Sequence, residues 1–139
     1  AFSIQPDNSG RLKPIVRSEQ PPLEKLRQAV AAHLRVVTER QDAAVVFNHE
    51  WRALSPKRRQ AVLALRDAYE GLFREILAEG QRTGVFRADL DVPLVTRFIL
   101  TALNGVAVWY RPKGPLSPEQ IAAAFGDWAA RGLQADPKE

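Results

Sequence analysis

Three segments of the sequence carry the same marker of a helix start, a capping side chain followed within two residues by proline. They are Ser55-Pro56, Asp91-Val92-Pro93 and Ser117-Pro118. The cap oxygen accepts a hydrogen bond from the first helical turn, where the missing N–H of proline costs no helical bond. Gln120, three residues after Ser117, adds the second member of a capping box. We therefore expect an all-α fold, a bundle of helices.

Apolar residues recur at three- and four-residue spacing around these markers, which is the pattern of amphipathic helices. The spacing predicts a first helix over residues 23–39, a short second helix over residues 43–54 and a long third helix from Pro56 to residues 79–83. A fourth helix begins at Val92 and is apolar on nearly every side, which predicts that it is buried. A fifth helix begins after Ser117 and ends at Gly132, its expected C-terminal cap.

The chain is expected to hold one domain. Residues 1–22 contain several prolines without a sustained helical or strand period, which predicts an N-terminal tail or linker with no recognisable helix-turn-helix. Residues 23–133 form the predicted domain, and residues 134–139 form a short C-terminal tail. A chain of this length buries roughly two thirds of its unfolded surface, which is enough for a core.

Residues that catalysis or metal binding would need are scarce. The sequence has two histidines, His33 and His49, on different predicted helices, and it has no cysteine. Neither histidine belongs to a two-histidine zinc motif, and no Gly-x-Ser-x-Gly elbow or glycine-rich phosphate loop is present. We therefore predict that the protein is not an enzyme and has no catalytic residue, no metal site and no cofactor.

The charge and hydropathy patterns indicate neither an extended nucleic-acid surface nor a membrane span. The formal net charge is +4, but the positive residues are scattered apart from Lys57-Arg58-Arg59, which we interpret as a solvated helix face. The apolar fourth helix is about 28 Å long at about 1.5 Å per residue. Arg97 and Asn104 interrupt it, which argues against a transmembrane helix. With no signal peptide in view, we expect a cytoplasmic protein without a membrane partner.

The last two predicted helices carry more apolar surface than three other helices can cover. Their short connector predicts antiparallel packing. We predict that they form a four-helix interface with a second copy of the chain, giving a homodimer. The candidate interface residues are Phe98, Leu103, Val106, Tyr110, Ile121, Phe125 and Trp128. The alternative, which the pattern leaves open, is that these residues fill a monomeric core.

Aromatic side chains on the middle helices predict a ligand pocket inside the bundle. Pockets between helices are commonly apolar with a few polar anchors, and Asn104 is a candidate anchor. The candidate pocket residues are His33, Phe47, Trp51, Tyr69, Phe73, Asn104 and Trp109. Core packing is the alternative for each of them, and His33 is either a ligand contact or a hydrogen-bonded core histidine.

Several motifs in the second half of the chain occur together in one known family. They are the run Gly80 to Asp91 (GQRTGVFRADLD), Asn104, and Trp109-Tyr110-Arg111-Pro112 followed by Lys113-Gly114-Pro115-Leu116-Ser117. In this order they resemble the C-terminal region of TetR/AcrR-family transcriptional regulators, over roughly residues 23–133. The resemblance implies an all-helical ligand-sensing domain that dimerises through its last two long helices.

The resemblance also implies a bacterial repressor whose DNA binding is modulated by an effector. Members with a Trp-Tyr-Arg-Pro-like turn are similar to sensors of acyl coenzyme A thioesters, so we expect an apolar or acyl-CoA-like effector. Arg52, Arg74 and Arg111 are candidates to meet its phosphates. Such regulators read operator DNA through an N-terminal helix-turn-helix, and we expect operator binding only through a domain absent from this sequence.

Two other classes of function stay open from the residues alone. One is a helical scaffold or adaptor whose aromatic helices bind a different protein. The other is a cofactor-free lyase or isomerase, for which His33, Glu50 and Tyr69 would have to converge.

Overall fold

The structure, a computed structural model, describes residues 9–136, without the side chains of residues 9, 44 and 47–49. The described part forms six α-helices and one 3₁₀ turn. They are α1 (Ser9–Arg17), α2 (Pro22–Glu39), α3 (Gln41–Glu50), the 3₁₀ turn (Trp51–Ala53), α4 (Pro56–Arg82), α5 (Val92–Trp109) and α6 (Pro118–Leu133). The all-α prediction is confirmed.

The predicted side chains form the helix starts. Ser55 Oγ and Asp91 Oδ1 each accept a hydrogen bond from the backbone N–H three residues later, at 3.3 and 3.2 Å. Ser117 Oγ accepts from the backbone N–H of Gln120 at 3.1 Å, and Gln120 Oε1 accepts from the backbone N–H of Ser117 at 2.8 Å. The capping box is complete, and all three predicted starts are confirmed.

Residues 9–17 are helical, so the prediction of an N-terminal tail is wrong for this segment. Pro14 lies inside α1, past its first turn, where it removes one helical hydrogen bond. Leu12 is fully buried, and Ile15 packs against the same core. A proline inside a helix costs about 3 kcal/mol, and burial of Leu12 together with partial burial of Ile15, at about 1.5–3 kcal/mol for each fully buried side chain, offsets most of this cost. Residues 1–8 of the predicted tail lie outside the described residues.

Helix α2 is the centre of the bundle, and the other five helices all pack against it. Its buried positions recur at three- and four-residue spacing and include Leu26, Val30, Leu34 and Val37. The second half of α4 reaches the same core through Phe73, Ile76 and Leu77. The first half of α4 is largely exposed.

Helix α5 has one face that is buried within the protomer and one that is exposed on it, so the predicted burial holds for the inner face, and burial of the outer face by a second copy stays a prediction. Leu103 and Val106 lie in the core, whereas Phe98 and Val108 are 72% and 75% exposed. By length and composition, α5 is the one helix in residues 9–136 that is apolar enough to cross a membrane, a test that core helices of soluble proteins also meet. Its inner face packs against α2, α3 and α4.

The loop between α4 and α5 packs closely on the end of α6. The ring of Phe86 lies over Gly80, where an added Cβ would be 2.0 Å from a ring carbon. Two backbone hydrogen bonds of 2.8 and 3.0 Å join the loop to residues 133–135. These bonds hold the chain extended after α6. The helix itself continues past Gly132 and is capped by Gln134. The prediction that Gly132 is the cap is therefore wrong.

Candidate functional site

Three side chains from three helices form a buried hydrogen-bonded chain, which we call the polar triad. His33 on α2 lies between Tyr69 on α4 and Asn104 on α5. Its Nδ1 is 2.6 Å from the hydroxyl oxygen of Tyr69, and its Nε2 is 2.7 Å from Asn104 Oδ1. The imidazole is only 7% exposed. Three residues that the sequence placed in a pocket are thus in direct contact.

The polar triad is uncharged at neutral pH. Burial lowers the pKa of His33 to about 4, against a smaller opposing effect of the hydrogen bond to Asn104. Burial also raises the pKa of Tyr69, and the charge of Arg11 offsets part of that rise. The neutral imidazole then donates from Nε2–H to Asn104 Oδ1 and accepts at Nδ1 from the Tyr69 O–H. A neutral hydrogen-bonding group of this kind can orient a ligand. Its pKa is too far below neutral pH for efficient proton transfer there.

Phe73 closes the apolar side of the polar triad. It is fully buried, and its ring meets the His33 ring edge-on with centroids 6.2 Å apart. The centroid of the Tyr69 ring lies 5.9 Å from that of the Phe73 ring, and the two rings are tilted relative to each other. These are favoured aromatic geometries. The residues His33, Tyr69, Phe73 and Asn104 therefore form one cluster where α2, α4 and α5 meet.

Two other predicted pocket residues, Trp51 and Trp109, lie outside this cluster. Trp109 is 49% exposed at the end of α5. It follows Asn104 by five residues, which is about 140° around a helix, so it faces another direction and its assignment to the pocket is corrected. The side chain of Phe47 lies outside the described residues. Trp51 is half-buried in the 3₁₀ turn and packs against the core. Glu50, which a lyase or isomerase would need, is exposed at the end of α3.

Trp51 is the centre of a group of arginines, which we call the arginine cluster. The guanidinium carbons of Arg52, Arg59 and Arg66 lie 5.9, 5.8 and 5.6 Å from the centroid of its indole ring. Arg59 is half-buried, so the prediction of a solvated face holds for Lys57 and the next residue but not for Arg59. The sequence does contain a sign of this cluster. Arg59 and Arg66 lie seven residues apart, which places them on one face of the helix.

A second feature is the set of large exposed apolar side chains on α5, on α6 and on the connector between them, which we call the outer apolar face. Its large exposed side chains are Leu94, Phe98, Val108, Trp109, Leu116 and Trp128. The four on α5 lie within about 100° of one another around the helix. On α6, the ring of Phe125 packs against the Trp128 ring with centroids 5.7 Å apart. Exposed apolar patches of this kind mark interaction sites.

The predicted interface residues divide between two faces. Leu103, Val106 and Ile121 are buried in the core of the protomer, so their assignment to the interface is corrected. The apolar spacing identified helices with two apolar faces but did not tell the inner face from the outer one. Phe98 and Trp128 project outward, whereas Tyr110 and Phe125 are half-buried.

Lys25 is a buried charge that the sequence did not single out. Its Nζ donates a hydrogen bond of 2.8 Å to the carbonyl oxygen of Val16 at the end of α1. It also donates to Glu79 Oε2 on α4 at 3.2 Å and lies 3.0 Å from Oε1. A cavity of about 230 Å³ adjoins these groups, lined by Val16, Lys25, Glu75, Ile76, Glu79 and Arg82. Because the charged side chains that line this cavity are paired or of balanced sign, we assign the cavity a structural role.

Gln41 at the start of α3 is a second residue that the sequence did not single out. Its Nε2 donates to the carbonyl oxygens of Ala107 and Tyr110, at 2.8 and 2.6 Å. The side chain thereby caps the end of α5 and holds α3 against it. Among the side chains that the structure describes, which exclude that of His49, no group of three potential metal ligands is present.

Comparison with known proteins decides the family. A family model described as "Tetracyclin repressor-like, C-terminal domain" matches residues 19–133. The chain belongs to the TetR family. The resemblance seen in the sequence is thereby confirmed. TetR-family regulators are DNA-binding dimers with small-molecule effectors.

The relatives of this TetR-family chain are longer than it is. The HTH-type transcriptional repressor KstR2 of Mycolicibacterium smegmatis is 34% identical over 117 residues, which are 84% of this chain and 57% of that protein. The chain thus spans less than two thirds of this relative, a repressor rather than an enzyme.

Solved structures share the fold. The ketosteroid transcriptional regulator KstR2 of Mycobacterium tuberculosis aligns with a TM-score of 0.84 at 28% identity, covering 93% of this chain and 66% of that one. AibR, solved in complex with isovaleryl coenzyme A and operator DNA, aligns with a TM-score of 0.76 at 21% identity, covering 91% of this chain and 71% of that one. At that identity, the likeness to AibR extends to the fold alone.

Proposed function

We propose that the chain is the effector-sensing and homodimerisation domain of a cytoplasmic bacterial transcriptional repressor. The polar triad is the observation that carries this proposal, because it provides a neutral anchor at an otherwise apolar junction of three helices. Binding sites between helices combine an apolar lining with a few oriented polar groups. An acyl-CoA-like effector has a matching chemistry, with one polar carbonyl next to an apolar acyl chain.

The hydrogen-bonding capacity left over in the polar triad supports this class of effector. Asn104 uses Oδ1 to accept from His33, so both N–H groups of its Nδ2 remain donors. A thioester carbonyl accepts from one of them, while Phe73 provides an apolar wall for the acyl chain. The three side chains of the triad are themselves uncharged, so they suit a neutral ligand group.

Regulation is proposed to follow from a population shift. An effector changes the equilibrium only if it binds one packing of the helices more tightly than the other. Tyr69 lies on α4, and α4 packs against α1, whose end is linked to Glu79 through Lys25. In the proposed repressor, a displaced α4 moves α1 and thereby the spacing of two helix-turn-helix domains on operator DNA.

The outer apolar face supports homodimerisation. We expect the wild-type chain to sediment as a dimer and Phe98→Glu to sediment as a monomer, because a charge on this face would be buried without a partner. Leu65→Glu is the matched control, since Leu65 is an exposed leucine on the first half of α4. A monomeric wild-type chain would overturn the dimer and favour the second candidate, an adaptor whose outer apolar face binds another protein.

The effector is tested by binding and by native mass spectrometry. We expect isovaleryl coenzyme A to bind the wild-type chain and Asn104→Leu to weaken binding by about tenfold, the size of one buried hydrogen bond. Gln60→Leu, a similar change on the exposed part of α4, is the control. If protein taken from cells carries no small molecule and acyl-CoA thioesters do not bind, the sensing function is refuted.

A further inference from the structure

We infer that the arginine cluster binds the phosphate groups of a phosphorylated small molecule. The inference deepens the proposed function and rests on it for the ligand class, an acyl-CoA-like thioester. It assigns the ligand a direction, with phosphates near Trp51 and the acyl end at the polar triad.

Among the described residues, no ion pair offsets the charge of the arginine cluster. Within residues 9–136, no carboxylate lies at ion-pair distance from Arg52, Arg59 or Arg66. Asp67, next to Arg66 in sequence, is instead paired with Arg74 at 3.2 Å. Guanidinium groups gathered around one indole repel each other, and the ring face offsets only part of that repulsion. An anion bound among them removes the imbalance.

Arg59 supplies a donor that has no acceptor. Its Nη2 donates to the carbonyl oxygen of Arg52, which fixes the guanidinium against the 3₁₀ turn. Its Nε is buried and has no hydrogen-bond partner in the described part of the chain. Buried donors without an acceptor are rare in native proteins, and such a donor often forms its hydrogen bond with a ligand or an ordered water. A phosphate oxygen is the matching acceptor, because guanidinium groups bind phosphate through paired, charge-assisted hydrogen bonds.

The arginines lie on the same face of α4 as the polar triad. Arg59, Val62, Arg66, Tyr69 and Phe73 follow the three- and four-residue spacing of one helix face, and all five are at least half-buried. Arg59 precedes Tyr69 by ten residues, or about 15 Å along the helix. A coenzyme A thioester also carries its phosphates and its acyl group at opposite ends of an extended arm. The two ends of the ligand therefore match the two groups of side chains.

Partial burial separates this site from a DNA-binding surface. Arg59 and Arg66 converge on a half-buried indole. Contacts to a DNA backbone are made by side chains that project from the surface along the path of the phosphates. Lys57 and Arg58, which do project, are not part of the arginine cluster. The geometry favours a small phosphorylated ligand.

The inference is tested with inorganic diphosphate and coenzyme A as probes of the ¹⁵N-labelled chain. We expect each probe to shift the indole N–H resonance of Trp51 in a saturable way. Arg59→Gln with Arg66→Gln weakens both by about tenfold for each arginine, the size of a charge-assisted hydrogen bond. Arg58→Gln is the control and keeps wild-type affinity. Arg66→Lys, which retains the charge and loses the planar fork, gives an intermediate affinity.

Three results would overturn the inference. They are a wild-type Trp51 resonance that neither probe shifts, a folded double variant with wild-type affinity, and displacement of diphosphate by random-sequence duplex DNA at lower concentration than by coenzyme A. Failure of the proposed effector is distinguishable from failure of the phosphate site. Diphosphate binding without isovaleryl coenzyme A binding refutes the effector class alone. Isovaleryl coenzyme A binding that the double variant retains refutes the phosphate site alone.

The direction of the ligand has its own test. Asn104→Leu is expected to weaken isovaleryl coenzyme A and leave the affinity for diphosphate unchanged, because the polar triad lies at the acyl end. Equal weakening of both probes by Asn104→Leu would contradict the assigned direction.

Discussion

The Nζ atom of Lys25 lies 2.8 Å from the carbonyl oxygen of Val16, so the end of α1 is fastened to α2. The same ammonium group lies 3.0 Å from Glu79 Oε1 on α4, and Lys25 as a whole is 3% exposed. One side chain therefore holds three helices together.

Replacement of Lys25 by methionine is expected to lower the free energy of unfolding by about 2–3 kcal/mol. The variant leaves Glu79 without its ion-pair partner and the carbonyl of Val16 without its donor. Urea unfolding measures the loss. Lys13→Met, an exposed change on α1, serves as control and stays within about 0.5 kcal/mol of wild type. A Lys25→Met chain as stable as the control would show that α1 is held by apolar packing alone.

The buried neutral His33 predicts that acid destabilises the fold. Its pKa is about 4 in the folded chain and 6.5 in the reference state. Between these values the unfolded chain binds a proton that the folded chain does not. The contribution of His33 to the free energy of unfolding is therefore fully present above its pKa in the unfolded chain. It is lost, by about 3 kcal/mol in total, as the pH falls toward its pKa in the folded chain.

The measurement compares urea unfolding of wild type and His33→Gln across this pH window. Glutamine does not titrate, so the variant should lose stability less steeply as the pH falls, while the carboxylates contribute equally to both. Parallel pH profiles for the two proteins would contradict the prediction.

Phe98 and Leu103 lie five residues apart on α5 and should respond differently to alanine substitution. Leu103→Ala opens a cavity in the core and is expected to lower the free energy of unfolding by about 3 kcal/mol. Phe98→Ala removes an exposed ring, so it should weaken self-association and leave protomer stability nearly unchanged. Unfolding at low protein concentration and sedimentation separate the two effects. A Leu103→Ala variant that only dissociates would return Leu103 to the interface.

Gly80→Ala is expected to cost about 1–3 kcal/mol, the range for overpacked cores. The added methyl group would meet the buried ring of Phe86 and displace the loop that joins α4 to the end of α6. Gly132→Ala is the matched control, because that helical glycine has open space around its Cβ position. There, the higher helix propensity of alanine leads us to expect equal or greater stability in thermal unfolding.

The helix starts could be predicted from the sequence because their interactions are local. Ser55, Asp91 and Ser117 each bond to a backbone N–H three residues away, so neighbours in sequence are enough to identify the cap. The members of the polar triad were predicted as pocket residues because they are polar or aromatic residues on apolar helix faces, and a role in a pocket stays a prediction. Their mutual contact depends on how three helices pack, which spacing within one helix does not specify.

The sequence predictions that the structure corrects failed for a common physical reason, because each depends on contacts between distant parts of the chain. Helix α1 forms despite Pro14 because Leu12 is buried against other helices, a contribution invisible in the local sequence. Spacing likewise shows that Leu103 and Val106 share a face but not which helix covers it. Arg59 was assigned to solvent by its charge, whereas the structure holds it beside Trp51.

His33 uses both of its ring nitrogens, one toward Tyr69 on α4 and the other toward Asn104 on α5. The gap between those two helices is therefore fixed at this level by the width of an imidazole ring and two short hydrogen bonds. A relative displacement of about 1 Å would stretch at least one of them out of its favourable range. The packing of α4 against α5 is thus an ordered state, and an effector that separates the two helices must supply more free energy than the hydrogen bond that it breaks.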